Sequence, residues 1–266
     1  MSNFQPSGVI TLTTDLGHKG PFVAVMKGVI LTRNPDVRLI DLTHETEAHF
    51  PAEAGFWLRR AYPWFPPGTV HIAVVDPGVG MERDILVVLH DGHCFVAPDN
   101  GLLANIHEEE GAVTRRLDLS DPARLGLGEV SHTFHGRDIL SPIGAELAAG
   151  RLSPQDVGPV ADSVIPSWVE EPVITEDRIK GQVVAVDSFG NLITNVSETE
   201  LLTWDAAVAI AGGHRFPVRR TYGLVAPGEN VGLINSFGML ELARFEKSAA
   251  EGTRLERGAP VVVDRL

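Results

Sequence analysis

Three short stretches, far apart in the chain, set groups capable of acid–base and electrostatic work beside glycine or proline. They are Val74-Val75-Asp76-Pro77-Gly78-Val79-Gly80 with Arg83 just beyond, Thr133-Phe134-His135-Gly136-Arg137-Asp138, and Asp187-Ser188-Phe189-Gly190-Asn191-Leu192-Ile193-Thr194-Asn195. Each follows or opens an apolar segment, which is how a carboxylate, a guanidinium or an imidazole reaches the rim of a sheet. Asp76 and Arg83 flank a turn short enough to bring them together, and an arginine beside an aspartate favours the charged carboxylate. The same pair can also be a salt bridge that only fastens the loop. His135 stands immediately before a helix start, where Gly136 permits close approach of backbone to a ligand. Asp, Arg and His together can orient and deprotonate water. The expectation is an enzyme site assembled from several strand ends.

Other polar positions divide between binding and plain structure. Asp15 directly follows the first strand, at the strand end where α/β sheets bind ligands, and a carboxylate there can hold both hydroxyls of a ribose. It can equally cap the next helix or make a turn. Phe189 beside Gly190 can offer an aromatic face to a purine, the Asn191 amide suits an adenine edge, and Asp187 can meet an ammonium group. The alternative is a buried Phe with turns at a barrel corner. Asn235-Ser236-Phe237-Gly238 reads as a hairpin turn in which Ser236 can bond a carboxylate. His132-Thr133-Phe134-His135 has His-x-x-His spacing without a clear third ligand, so no metal site is expected. The sequence contains no P-loop, no glycine-rich dinucleotide fingerprint and no nucleophile elbow.

The elements that must position these groups alternate in the first half. Residues 9–14 are β-branched and strand-like; Pro21 opens an apolar-periodic helix that Asn34-Pro35 stops near Arg33. Residues 37–42 read as a strand, 52–61 as a helix and 69–75 as a third strand. This is the pattern of a mostly parallel sheet covered by helices. Residues 85–89 and 94–97 form a hairpin pair, and 139–149 a helix ending at Gly150. Short strands with glycine-rich turns follow at 181–186, 207–210, 231–235, 240–243 and 260–263. The organisation expected is an α/β catalytic domain over 1–160, a proline- and acid-bearing linker over 161–178, and a smaller, mostly-β, barrel-like domain over 179–266.

Composition narrows the function classes. A net charge of −13 lacks the basic face that phosphate neutralisation requires, so nucleic acid is not an expected partner. Cys94 is the only cysteine, which rules out an intramolecular disulfide and fits a reducing cytoplasm. It lies in an apolar run and reads as a small buried hydrophobe. No window reaches bilayer-spanning length, and the first eight residues carry no signal-like pattern, so neither membrane insertion nor secretion is expected.

The ordered set of motifs resembles one family. Thr13-Thr14-Asp15-Leu16-Gly17, Met26-Lys27-Gly28-Val29-Ile30, Asp41-Leu42-Thr43-His44-Glu45, Phe65-Pro66-Pro67-Gly68-Thr69-Val70, Val75-Asp76-Pro77-Gly78-Val79-Gly80, Ala97-Pro98-Asp99-Asn100-Gly101, Phe134-His135-Gly136-Arg137-Asp138 and Phe189-Gly190-Asn191-Leu192-Ile193-Thr194-Asn195 are similar to the S-adenosyl-L-methionine (SAM) hydroxide adenosyltransferases. These SAM hydrolases are relatives of the fluorinases and chlorinases. The resemblance implies hydrolysis of SAM to adenosine and L-methionine by attack of activated water on ribose C5′, with no cofactor. It puts the catalytic trio on Asp76, Arg83 and His135; the chemistry of these residues suggests Asp76 as base, Arg83 polarising and orienting it with the water, and His135 holding or relaying the proton. It also puts the ribose carboxylate on Asp15, methionine contacts on Asp187 and Ser236, and adenine contacts on Phe189 and Asn191. A homotrimer is implied, with substrate between the amino-terminal domain of one subunit and the carboxy-terminal domain of its neighbour. Three positions depart from the family: Gly20 replaces the usual acid, Phe245 a common Asn, and His49 an aromatic ribose neighbour. The rival expectations are a halogenase on the same scaffold, which a carboxylate at Asp76 disfavours, a non-catalytic SAM sensor, and a metal-dependent hydrolase.

Overall fold

The computed structural model describes residues 4–266; the first three, which the amino-terminal domain expectation included, lie outside the described residues. Two compact units meet in sequence between Trp168 and Val169.

The first unit is a six-stranded mixed sheet. Its strands are β1 (Val9–Thr14), β2 (Arg38–Thr43), β3 (Val70–Val74), β4 (Ile85–His90), β5 (His93–Pro98) and β6 (Val113–Arg116), in the order β2-β1-β3-β5-β4-β6. β1, β2, β3 and β5 run parallel, while β4 is antiparallel to both β5 and β6. Helices α1 (Phe22–Arg33) and α2 (Pro51–Ala61) connect the parallel strands, followed later by α3 (Ala104–His107) and α4 (Ser141–Ala148). All six residues of β1 are buried, as expected of an apolar run between two parallel neighbours.

Alternation along the strands sends side chains into two cores. Val70, Ile72 and Val74 of β3 join Met26 and Ile30 of α1 and Ile143 of α4 on one face. Ala73, Val75 and Phe95 join Ala54 and Leu58 of α2 on the other. Each fully buried Ile, Leu or Val in these layers contributes about 1.5–3 kcal/mol. Asn34 ends α1, its backbone N–H closing on the Ile30 carbonyl.

The helix expected over 139–149 begins differently. Residues Gly136–Leu140 make a wide turn in which the Ser141 N–H reaches back to the Gly136 carbonyl, and only then does α4 run regularly. The Ser141 hydroxyl donates to the same carbonyl at 2.7 Å. Pro142, which has no N–H to give, lets the ladder open there. Gly150 takes φ +69° just past the helix end.

The named strands of the second unit all pair antiparallel. Its strands are β7 (Val173–Ile174), β8 (Arg178–Val186), β9 (Leu192–Ser197), β10 (Ala207–Ala211), β11 (His214–Pro217), β12 (Asn230–Ile234), β13 (Met239–Arg244) and β14 (Pro260–Arg265). The order is β11-β10-β14-β8-β9-β13-β12, with β7 paired to β8. The ends of that order nearly meet, because Val218 bridges Gly232 and the Arg219 N–H donates to the Gly232 carbonyl at 2.8 Å. The result is a barrel-like sheet around Phe216, Leu192, Leu240, Leu242 and Val263. Two short helices, α5 (Glu198–Leu201) and α6 (Ala249–Thr253), complete it, the first started by a Ser197/Glu200 capping box. β6, β7, β9 and β11 were not among the expected strands.

Candidate active site

β3 ends at Val74, and two residues later the chain presents Asp76 at the sheet rim. The following turn is closed by the Val79 N–H on the Asp76 carbonyl and the Met81 N–H on the Gly78 carbonyl. Gly80 has φ +78°, and a Cβ there would sit 2.1 Å from the His132 carbonyl oxygen. Only glycine lets this loop lie directly against the segment that leads to His135.

The turn returns Arg83 onto Asp76. Its Nε lies 2.9 Å from each carboxylate oxygen, and Nη2 also bonds Oδ2. The Asp76 and Arg83 side chains are only 5% and 8% exposed, so the pair is largely withdrawn from water. Nη2 meets His135 Nδ1 at 2.8 Å. A guanidinium is always a donor, so Nδ1 must accept and the neutral imidazole carries its proton on Nε2. Burial, and then the Arg83 charge, lower the His135 pKa below its ordinary value; Asp76, Asp138 and a hydrogen bond to the Ser131 backbone act in the opposite direction. The three residues therefore converge, with arginine at the centre.

Asp76 and His135 line a cavity of about 310 Å³ together with Asp15, His49, Phe22 and Phe134. Asp15 leaves β1 at its carboxyl end, and its Oδ2 accepts the His49 N–H at 3.0 Å. His49 holds φ +63°, a left-handed conformation uncommon outside glycine, which aims that N–H at the carboxylate. Behind them His44 is buried with Nδ1 2.9 Å from the Thr14 hydroxyl, fixing the residue before Asp15. Phe22 and Phe134 meet edge to face at 5.6 Å. Gly136 also lines this cavity, and a Cβ there would press on Val74 and Met26, so its smallness serves packing as well.

The remaining expected residues belong to the second unit. Asp187 is occupied by its own loop: Oδ1 accepts the N–H groups of Phe189 and Asn191, both at 2.9 Å, and Oδ2 accepts Asn191 Nδ2 at 3.0 Å. Phe189 is thereby held 79% exposed, while Asn191 is buried. Both line a cavity of about 520 Å³ with Tyr222 and the segment 244–248, which includes Phe245. Ser236 lies exposed in the turn between β12 and β13, closed by the Gly238 N–H on the Asn235 carbonyl.

Sequence reasoning passed over Glu241 and Tyr222. Glu241 is 3% exposed and accepts the Tyr222 hydroxyl at 2.5 Å. Burial raises its pKa, and the Asp187 charge adds to that rise. The signal was a lone acid within the apolar strand Met-Leu-Glu-Leu-Ala. Among the described residues no three His, Cys, Asp or Glu side chains stand close enough together to hold a metal ion.

Sequence patterns describing the SAM hydroxide adenosyltransferase N-terminal and C-terminal domains match residues 10–158 and 181–262. The chain is 36% identical over 257 residues to an (R)-S-adenosyl-L-methionine hydrolase of Thermus thermophilus, covering 93% of this chain and 96% of that one. A crystal structure of an uncharacterized conserved protein from Thermotoga maritima superposes with a TM-score of 0.87 at 34% identity, covering 96% and 100%. A fluorinase of Actinopolyspora mzabensis is more distant, 26% identical over the full length of both chains. The chain belongs to the SAM hydroxide adenosyltransferase family.

Proposed function

We propose that this enzyme hydrolyses SAM to adenosine and L-methionine, with Asp76, Arg83 and His135 as its reacting centre. What carries the reading is the two-oxygen clasp of Asp76 by Arg83 in the wall of a cavity that also presents Asp15. SAM is a sulfonium, so C5′ of its ribose is already electrophilic and methionine leaves as a neutral thioether without a general acid or a cofactor. Water needs a base and an aim. In this reading Asp76 accepts one proton of the water as its oxygen bonds C5′, and the C5′–S pair goes to sulfur. Arg83 holds the carboxylate in place, and His135 aims the guanidinium by accepting from it.

Asp15 takes the ribose hydroxyls, Phe189 and Asn191 the adenine, and Asp187 and Ser236 the methionine end. Because Asp187 already accepts three loop hydrogen bonds, it meets an ammonium with its remaining acceptor capacity. The active form we infer is a homotrimer in the cytoplasm, each substrate held between unit 1 of one subunit and unit 2 of its neighbour.

Incubation with SAM in oxygen-18 water, followed by mass spectrometry of the adenosine, tests the chemistry. Label at the 5′ oxygen is the expected result, and no adenosine at stoichiometric enzyme sinks it. Added chloride or fluoride is expected to give no 5′-halo-5′-deoxyadenosine, because the Asp76 carboxylate repels a halide.

A further inference from the structure

We infer that Asp138 is a positioning residue for this reaction, acting through Ser131 to hold His135 against Arg83. The inference rests on the trio assignment above, and the observations behind it come from one hydrogen-bonded cluster. Asp138 Oδ2 accepts both the Ser131 N–H at 2.9 Å and the Ser131 hydroxyl at 2.6 Å. Arg137 covers the same carboxylate, Nε at 2.5 Å from Oδ1 and Nη2 at 2.9 Å from Oδ2. Asp138 is 8% exposed at its side chain. Burial alone would raise its pKa, but the Arg137 and Ser131 hydrogen bonds outweigh burial and hold it at about 2.

What this clasp restrains is the segment that carries the imidazole. Ser131 is half-buried and His132 and Thr133 are exposed, so little apolar packing fixes their backbone. The Ser131 backbone in turn lies near enough to the His135 ring to favour its protonated form. His135 Nδ1 faces a guanidinium, so Nε2 is the ring nitrogen that carries the proton. On the other side, the His132 carbonyl lies against Gly80 of the Asp76 loop. A chain of contacts thus runs from Asp138 through Ser131 and His135 to Arg83 and Asp76. Asp138 does not itself line the cavity. The wide turn Gly136–Leu140 places Asp138 so that it reaches back seven residues to Ser131. Wide turns of this kind recur at functional sites.

Steady-state kinetics of Asp138→Asn, His135→Ala and the double variant test the role. Asp138→Asn is expected to lower kcat roughly 10- to 100-fold, the span of couplings within one hydrogen-bond network, with KM changed by no more than about threefold. In the His135→Ala background the same substitution is expected to cost almost nothing, because the residue it positions is gone. A loss as large in that background as in the wild type, or an unchanged kcat, overturns the inference. Ser131→Ala, which leaves the Arg137–Asp138 pair intact, carries the same cycle if Asp138→Asn does not fold, with a smaller loss expected. Nitrogen-15 NMR of labelled histidine provides a readout independent of substrate: the Nε2–H form of His135 in the wild type gives way to a tautomer mixture in Asp138→Asn. If wild-type enzyme makes no adenosine, the functional reading fails while the NMR comparison still decides this one; an unchanged His135 signal there overturns it.

Discussion

Arg83 does three jobs at once: it binds both oxygens of Asp76, donates to His135 and fills the buried space between them. A lysine carries the same charge as a single point and cannot make these contacts together. Arg83→Lys is expected to reduce kcat by roughly 10²–10³-fold, the cost of losing one preorganised donor. KM should change little, because Asp15, Phe189 and Asn191 do not depend on the arginine. A large rise in KM with kcat preserved would instead make Arg83 a substrate-binding group. At this scale the sequence was most legible where a charge sat next to a turn glycine. Asp76 and Arg83 were seven residues apart across such a turn, and their meeting followed from loop length. His135 was legible as a helix-start imidazole, but not its acceptor role, which depends on an arginine 52 residues away in sequence. At Asp187 the binding potential was visible, while the three loop donors that also use its carboxylate were not. Glu241 was hidden because alternation predicts burial and says nothing about partners.

Among the elements, β1 and β3 deliver the site and their own side chains constrain its stability. Thr11 of β1 and His71 of β3 face each other, Oγ1 to Nδ1 at 2.7 Å, and His71 Nε2 lies 3.1 Å from His93 Nδ1 on β5. Burial, reinforced by His93, pushes the His71 pKa down from 6.5 to about 3. Burial also lowers His93. The unfolded chain therefore takes up a proton at His71 before the folded protein does. Stability from this group is complete above about pH 6.5 and is lost as pH falls towards about 3, at roughly 1.4 kcal/mol per pH unit. His71→Phe should be less stable at neutral pH, since it leaves Thr11 and His93 without their partner. Its unfolding free energy should nevertheless fall less steeply with acid, by about one proton's worth, between about pH 4 and 6. Denaturant titrations at stepped pH measure both slopes, and parallel slopes would refute the assignment. The β1 and β3 strands were readable because β-branched runs bounded by turns have few alternatives. The wide turn before α4 was not: the helical periodicity of 139–149 is real, and the extra residue arises from Pro142 and the Gly136 carbonyl, which pattern alone does not register.

At the scale of the whole molecule, the two units were legible to different depths. Strand–helix alternation announced the first sheet, including its parallel strands and its β4–β5 hairpin. In the second unit β9 was read chiefly for its polar motif, because Asn191 and Asn195 look like turn formers while Leu192, Ile193, Thr194 and Val196 are the buried strand. β11 is four residues long and amphipathic only in Phe216, too short for periodicity to reveal. The proposed trimer makes a demand that neither unit alone can meet. If each site joins unit 1 of one subunit to unit 2 of the next, two inactive variants can repair each other. Asp76→Ala damages only the first kind of contribution and Phe189→Ala only the second. Co-expressed in equal amounts and assorted at random, they leave intact those sites where an undamaged unit 1 meets an undamaged unit 2, about a quarter of the total. Recovery of about that fraction of wild-type kcat per site, from two variants each nearly inactive alone, is the expected outcome. Mixed oligomers that are verified by differential tags yet show no recovery would place both contributions within a single subunit and remove the shared site.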